Sequence, residues 1–276
     1  MFEWPVAADG YYWVSNADSE ENKLDLDSIQ KDRHGSWHGC HLDANTRVFR
    51  WYHPLQDPGL FLTFAETPVT PKGMLEFANQ YGHLGSHIAP DDPDTIPNFD
   101  SAEEKERYVQ TKMRRYDPIY IWQKSITEMR RWIKQWDHLA KDSSRLKSFF
   151  GDINSKLAHD ACRVIFLPNR RSHGGYSHSI KPTSLLAALW FQLGEAVACN
   201  KKFEKCVTCA KWFEIAPPFV RNSRQYCSEA CRSRAYRERR EKAINLAADG
   251  KSASEIAGIL GSDEASVKGW INLKEK

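Results

Sequence analysis

"KCVTCAKWFEIAPPFVRNSRQYCSEACRSRAYRERR", residues 205–240, carries four of the chain's seven cysteines. They fall as Cys206-x2-Cys209 and Cys227-x3-Cys231, with 17 residues between the two pairs. Zinc is satisfied by four soft ligands in a tetrahedron, and two short Cys-x2–4-Cys loops a hairpin apart supply that geometry. The spacing therefore predicts one structural zinc ion held by Cys206, Cys209, Cys227 and Cys231. Four thiolates leave no open position for a reacting water, which argues against a catalytic ion. The alternative is four buried thiols without metal.

Helix chemistry supports the second pair. Ser228 is placed to cap a helix, and "EACRSRAYRERREKA" is rich in helix formers. Cys227 then precedes the first turn and Cys231 lies one turn in, so both sulfurs can face one ion. Trp212, Phe213 and Phe219 offer the small apolar packing such a module needs. The helix N-terminus, with Lys205, Lys211 and Arg232 nearby, predicts lowered thiol pKa values.

The pattern C-x2-C…R…YCS-x-x-C-R-x-R-A-x-R resembles the zinc fingers of bacterial CGNR-type proteins. That resemblance implies a treble-clef-like module, an α/β N-terminal domain and a part in transcription regulation. It also implies the same four metal ligands, Cys206, Cys209, Cys227 and Cys231. Cys231-Arg232-Ser233-Arg234 stands where the family has Cys-Gly-Asn-Arg, so the first and last positions match.

Between residues 221 and 242 stand eight Lys+Arg and three Glu. Such a run alone is most simply a solvated helix face. The stretch after it, "EKAINLAADGKSASEIAGILGSDEASVKGWINLKEK" (241–276), resembles a helix-turn-helix of the homeodomain-like or sigma-region-4-like kind. This resemblance implies a first helix with Ala243, Ile244 and Ala247 inward, ending at Gly250. The second, from Ser252 to Leu260, buries Ile256, Ala257 and Leu260 and turns at Gly261. The third starts near Asp263 and buries Val267, Trp270 and Ile271. It would be the recognition helix, presenting Ala265, Ser266, Lys268, Gly269 and Asn272. Ser266, Lys268 and Asn272 suit base edges or phosphates. Arg221, Arg224, Arg232, Arg234, Arg237, Arg239 and Arg240 suit the phosphate backbone, while Asp263 and Glu264 oppose it. A three-helix cap or protein-docking module is the structural alternative. No Gly or Pro lies between Ser228 and Asp249, which predicts one rod of about 20 residues, or about 30 Å.

The chain's 276 residues suit one large domain and one or two small ones. With 41% apolar residues, ten Trp and thirteen Phe, a packed core is expected. No run approaches the roughly 18 apolar residues of a membrane span. The start, "MFEWPVAADG", lacks the pattern of a secretory signal. Clustered cysteines in odd number point to reduced thiols and a cytoplasmic protein. Residues 200–276 carry 16 Lys+Arg against 10 Asp+Glu, net +6, leaving 23 against 26, net −3, elsewhere. The C-terminal quarter is the part suited to a polyanion.

The first 199 residues read as one α+β domain. "YYWVSN", "TRVFRWYHP" and "GLFLTFA" predict strands. Thr70-Pro71 opens a helix over 71–82, with Met74, Phe77, Ala78 and Tyr81 at helical spacing. Residues 89–101, with three prolines and four aspartates, predict a loop. Ser101 with Glu104 predicts a capped helix start, and Asp117-Pro118 opens a second helix. There Ile119, Trp122, Ile126, Met129, Ile133 and Trp136 define a buried face. "ACRVIFLP" (161–168) predicts a buried strand and "NRRSHGGYSHSIKP" (169–182) a polar loop. Residues 182–199 predict a helix with Leu185, Leu189, Leu193 and Val197 on one side. "LEFANQYGHLG" (75–85) resembles uncharacterised bacterial proteins with this finger and implies no activity.

"HGSWHGCH" (34–41) gathers His34, His38, Cys40 and His41 in a turn-like stretch short of carboxylates, a weak candidate for a second metal site. His173 and His178 flank a Gly-Gly pair near Arg170 and Arg171, a weak candidate for an anion pocket. No P-loop, G-x-G-x-x-G, G-x-S-x-G or HExxH motif occurs. The sequence thus predicts an α+β domain (1–199), a four-cysteine finger with a basic helix (200–240) and a helix-turn-helix (241–276). The expected function is a bacterial, zinc-containing transcriptional regulator that binds double-stranded DNA. Its N-terminal domain would receive a small-molecule or protein effector, or form a homodimer. Two alternatives stand beside it: an enzyme-like domain tethered to nucleic acid, and a protein- or RNA-interaction module.

Overall fold

A computed structural model describes residues 2–15, 23–29, 40–44, 48–85, 101, 117–139, 142–158, 162–168, 176–215 and 224–272. The chain forms two compact units, Met1–Lys202 and Phe203–Lys276. The first is mixed helix and antiparallel sheet. Strand β1 (Trp4–Ala7) pairs with β4 (Phe49–Tyr52), Trp4 opposite Tyr52. Strand β2 (Tyr11–Ser15) pairs with β3 (Cys40–Ala44), Tyr11 opposite Ala44. Helices α1 (Leu60–Glu66), α2 (Pro71–Tyr81), α3 (Ile119–Leu139), α4 (Ser143–Leu157) and α5 (Leu185–Ala198) complete it with the hairpin β5 (Cys162–Pro168)–β6 (Tyr176–Pro182).

Aromatic residues make up much of the described core. Trp4, Trp13, Trp122 and Trp190 are fully buried. Phe64 meets Phe77 edge to face at 5.1 Å and Trp122 at 6.2 Å, joining α1, α2 and α3. Trp132 on α3 meets Phe149 on α4 at 5.2 Å. Helix starts follow local chemistry: Thr70 accepts from the Gly73 N–H, Asp142 from Ser144 and Arg145, and Ser184 from Ala187.

Asp117 ties three elements together. Its buried carboxylate accepts from the backbone N–H groups of Leu84 and Gly85, and its carbonyl accepts from Leu42 N–H at 3.2 Å. His83 Nδ1 lies 3.6 Å from the same carboxylate. This explains the chemistry of "YGHLG". Gly85 has φ 71°, and a Cβ there would sit 2.6 Å from the Trp4 ring. The Trp4 indole in turn donates to the His83 carbonyl at 2.9 Å.

Several sequence expectations need correction. "GLFLTFA" is helix α1, not a strand, with Leu60, Phe61, Leu62, Phe64 and Ala65 buried on nearly every side. Arg130 of α3 donates to the Ala65 and Thr67 carbonyls at 2.9 Å each, satisfying that helix's C-terminal end. Residues 176–182 are strand β6, not loop, pairing with β5 so that His178 stands opposite Phe166. Cys40 and His41 begin strand β3 and do not sit in a turn. On α3, Trp132 is buried while Ile133 is half-buried, because the buried stripe drifts as α4 packs beside it. The Pro/Asp-rich loop, the Glu104 cap and His34, His38 and His173 lie outside the described residues. Among the described residues no helix is long and apolar enough to cross a membrane.

Strand β7 (Lys202–Lys205) begins at the boundary, and the second unit continues with strand β8 (Trp212–Ile215) and helices α6 (Glu229–Ala248), α7 (Ala253–Leu260) and α8 (Glu264–Asn272). The two strands form a sheet. Helix α6 runs unbroken for 20 residues, about 30 Å. Its end, α7 and α8 share a core of Ala243, Ile256, Val267 and Trp270, with Leu246, Ala247, Ala257, Leu260 and Ile271 against it. Leu246 takes the place expected of Ile244. Ser252 and Glu255 form a reciprocal capping box at α7, and Gly261 ends it in the left-handed region at φ 58°.

Candidate metal centre and basic helix

The first cysteine pair lies in the turn between β7 and β8. Cys206 N–H donates to the Lys211 carbonyl at 2.9 Å, and Ala210 N–H to the Cys206 carbonyl at 2.8 Å. Ala210 takes a left-handed φ of 56° to close this turn. The second pair brackets the start of α6. Ser228 caps the helix by accepting from Cys231 N–H at 3.3 Å. Two bonds join the halves: Val207 N–H to the Gln225 carbonyl at 3.1 Å, and the Thr208 hydroxyl to the Cys231 carbonyl at 3.3 Å.

These elements converge on four sulfurs that all lie within 4.8 Å of one another. Cys209 and Cys227 Sγ are 3.6 Å apart, and Cys227 and Cys231 Sγ 3.5 Å. A disulfide needs about 2.05 Å, so these are free thiols at non-bonded distance. A tetrahedral ion with metal–sulfur bonds of about 2.3 Å sets its sulfurs about 3.8 Å apart. The donor set and its spacing therefore fit one metal ion. Phe213 packs beneath, with Cys206 and Cys231 buried against it and Tyr226 at the edge. Phe219 lies outside the described residues.

The cluster distributes protons unevenly. Burial pushes the Cys206 thiol up, but backbone hydrogen bonds at Cys227, Cys209 and Thr208 outweigh it and set it down to about 6. Burial, then contact with the Cys231 and Cys209 sulfurs, pushes Cys227 up to about 12. Burial also raises Cys209. The lowering expected from the sequence holds at Cys206, while Cys209 and Cys227 are raised instead, with burial the largest cause at both. A bound dication would favour the thiolate form of all four cysteines.

The basic residues separate into three kinds. Arg224 faces inward: its Nε donates to the Tyr226 carbonyl at 2.9 Å and its Nη2 to the Cys227 carbonyl at 2.6 Å. Arg239 and Arg240 are half-buried where α6 joins the three-helix core, with Arg239 Nε directed at the Ala235 carbonyl at 3.4 Å. Arg232, Arg234 and Arg237 are exposed, and Arg232 pairs with Glu229 at 3.3 Å. Arg221 lies outside the described residues.

On α8 the outward residues are partly engaged already. Ser266 donates its N–H and hydroxyl to Asp263 at 2.8 and 2.7 Å, which holds the Asp263 carboxyl below the usual range. Lys268 pairs with Glu264 at 2.8 Å. Ala265, Gly269 and Asn272 are exposed. The sequence located the cysteines but missed the clamp made by Arg224. Its signal, an arginine three residues before the third cysteine, has meaning only once the chain is folded. In the first unit, His41 stands apart from any described cluster of metal ligands, and burial lowers its pKa. No family model, curated protein or solved structure matches the chain.

Proposed function

We propose that the chain is a zinc-containing, DNA-binding protein of the transcription-regulator class. In this reading Cys206, Cys209, Cys227 and Cys231 hold one structural Zn2+ in a treble-clef-like, CGNR-type finger. Helices α6, α7 and α8 act as a helix-turn-helix, with α8 meeting base edges through Asn272, Ser266 and Lys268. Arg234 and Arg237 lie on the exposed side of α6 and supply phosphate contacts. The observation that carries the reading is continuity. One helix begins at the metal-ligand cluster with Cys231 and ends in the three-helix core with Ala243. Zinc at its root fixes the direction of a helix that would otherwise be too polar to hold itself. The first unit then serves as the part that receives an effector or forms a homodimer.

Asp263 and Glu264 at the start of α8 favour a second reading, a protein-docking module, because carboxylates there repel phosphate. Selection of bound duplexes from a random pool, with and without a zinc chelator, separates the two. The DNA reading expects one enriched sequence, lost on chelation, with affinity falling steeply as salt rises. Equal recovery of every duplex would reduce the tail to a tether, and recovery of none would favour the docking module.

A further inference from the structure

Arg224 has the geometry of a clamp on the metal site. Its planar guanidinium uses two nitrogens at once, on the carbonyls of Tyr226 and Cys227, at 2.9 and 2.6 Å. The same group lies over the ring of Phe213, 5.1 Å from its centroid. Phe213 is buried in strand β8, beside Cys206 and Cys231. One side chain therefore fastens the segment carrying Cys227 onto the hairpin carrying Cys206 and Cys209. Its two acceptors include the carbonyl of a ligand residue itself. An arginine so committed is poorly placed to serve a phosphate.

We infer that Arg224 is a positioning residue of the metal centre, holding Cys227 in ligating geometry through its own backbone. This rests on the metal reading above and removes Arg224 from the nucleic-acid contacts expected from sequence. The physical basis is preorganisation. Without the clamp, the loop before α6 must be ordered by the ion at the moment of binding, and that cost appears as lost affinity. The planar two-nitrogen fork is specific to arginine, since a lysine ammonium carries its three donors on one nitrogen and lacks that fixed geometry.

The test measures Zn2+ affinity of the full chain by competition with a chromophoric chelator, with helix content followed by circular dichroism. Arg224→Ala is expected to bind Zn2+ roughly 10- to 100-fold more weakly, the usual effect of removing a group that orients a ligand. Arg224→Lys is expected to fail to restore it, and Arg234→Ala to match wild type. If Arg224→Ala loses helix even with excess Zn2+, the lysine variant carries the comparison. Wild-type affinity in Arg224→Ala overturns the inference while leaving the metal reading intact. Wild-type affinity in the lysine variant alone would assign the effect to charge and not to the fork. A wild-type chain that takes up no Zn2+ overturns the metal reading and this inference with it.

Discussion

The indole of Trp270 donates a 2.9 Å hydrogen bond to the hydroxyl of Tyr236, and the two rings meet edge to face at 5.6 Å. Trp270 belongs to α8 and Tyr236 to the middle of α6, so this pair pins the last helix to the helix that starts at the cysteines. Along α6 the buried residues are Cys231 and Ala243, twelve positions apart. Tyr236 supplies the intermediate hold. Tyr236→Phe keeps the ring and removes the acceptor. It should lower the stability of the metal-loaded protein by about 1 kcal/mol, since one hydrogen bond of this kind is worth about that much net. Thermal unfolding followed by tryptophan fluorescence reads it directly.

Coupling along α6 gives a sharper expectation. Cys227 touches other sulfurs and lies outside the exposed arginine face. If the chain binds duplex as proposed, Cys227→Ser should nevertheless lower that affinity at least tenfold, because a helix with so little buried apolar surface frays from its root without the metal. Gel-shift titration of the variant, alongside metal analysis, checks this. Unchanged affinity with the metal lost would sink the coupling.

Ala210 bears a conformational cost that glycine would relieve. At φ 56° its Cβ crowds the following carbonyl, and the side chain itself is exposed and unneeded. Ala210→Gly should raise the unfolding midpoint of the metal-loaded protein, corresponding to about 1 kcal/mol, without altering the metal content. A lowered midpoint would show that the turn is not strained in solution.

In the first unit, the corresponding weak point is Asp117. Its carboxylate collects the backbone N–H groups of Leu84 and Gly85, just after α2, and lies beside His83. Asp117→Ala leaves those donors buried and unpaired, which costs about 3 kcal/mol. Urea denaturation should show a lower midpoint with an unchanged slope; an unchanged midpoint would mean that water replaces the carboxylate.

What the sequence made legible was local. The spacing within each cysteine pair, the Ser228 cap and the Thr70-Pro71 start all act within about one turn of chain, so residue order alone exposes them. Leu60–Glu66 escaped because a helix buried on nearly every side has no polar period to reveal it. Strand β6 escaped because its composition is that of a loop, and its structure comes from the partner β5. Arg224 escaped for a related reason. Its charge reads as a phosphate contact until the fold brings Phe213 beneath it. The metal site was thus readable as a set of ligands, but not as a supported geometry.

Gly269 offers the most direct test of what α8 faces. It sits in the interior of that helix, and a Cβ added there meets nothing within 4 Å. The fold gains nothing from glycine at this position, and an interior helical glycine costs about 1 kcal/mol relative to alanine. Gly269→Ala should therefore stabilise the free protein by about that amount. If the outward face of α8 lies against a duplex, the added methyl also intrudes where backbone would approach bases closely. Duplex affinity then falls while the unfolding midpoint rises, an opposition that no loss of folding can produce. Calorimetric unfolding and duplex titration of the same preparation measure both. A variant that is more stable and binds duplex as well as wild type would place the contact surface elsewhere and favour the docking-module reading of the three helices.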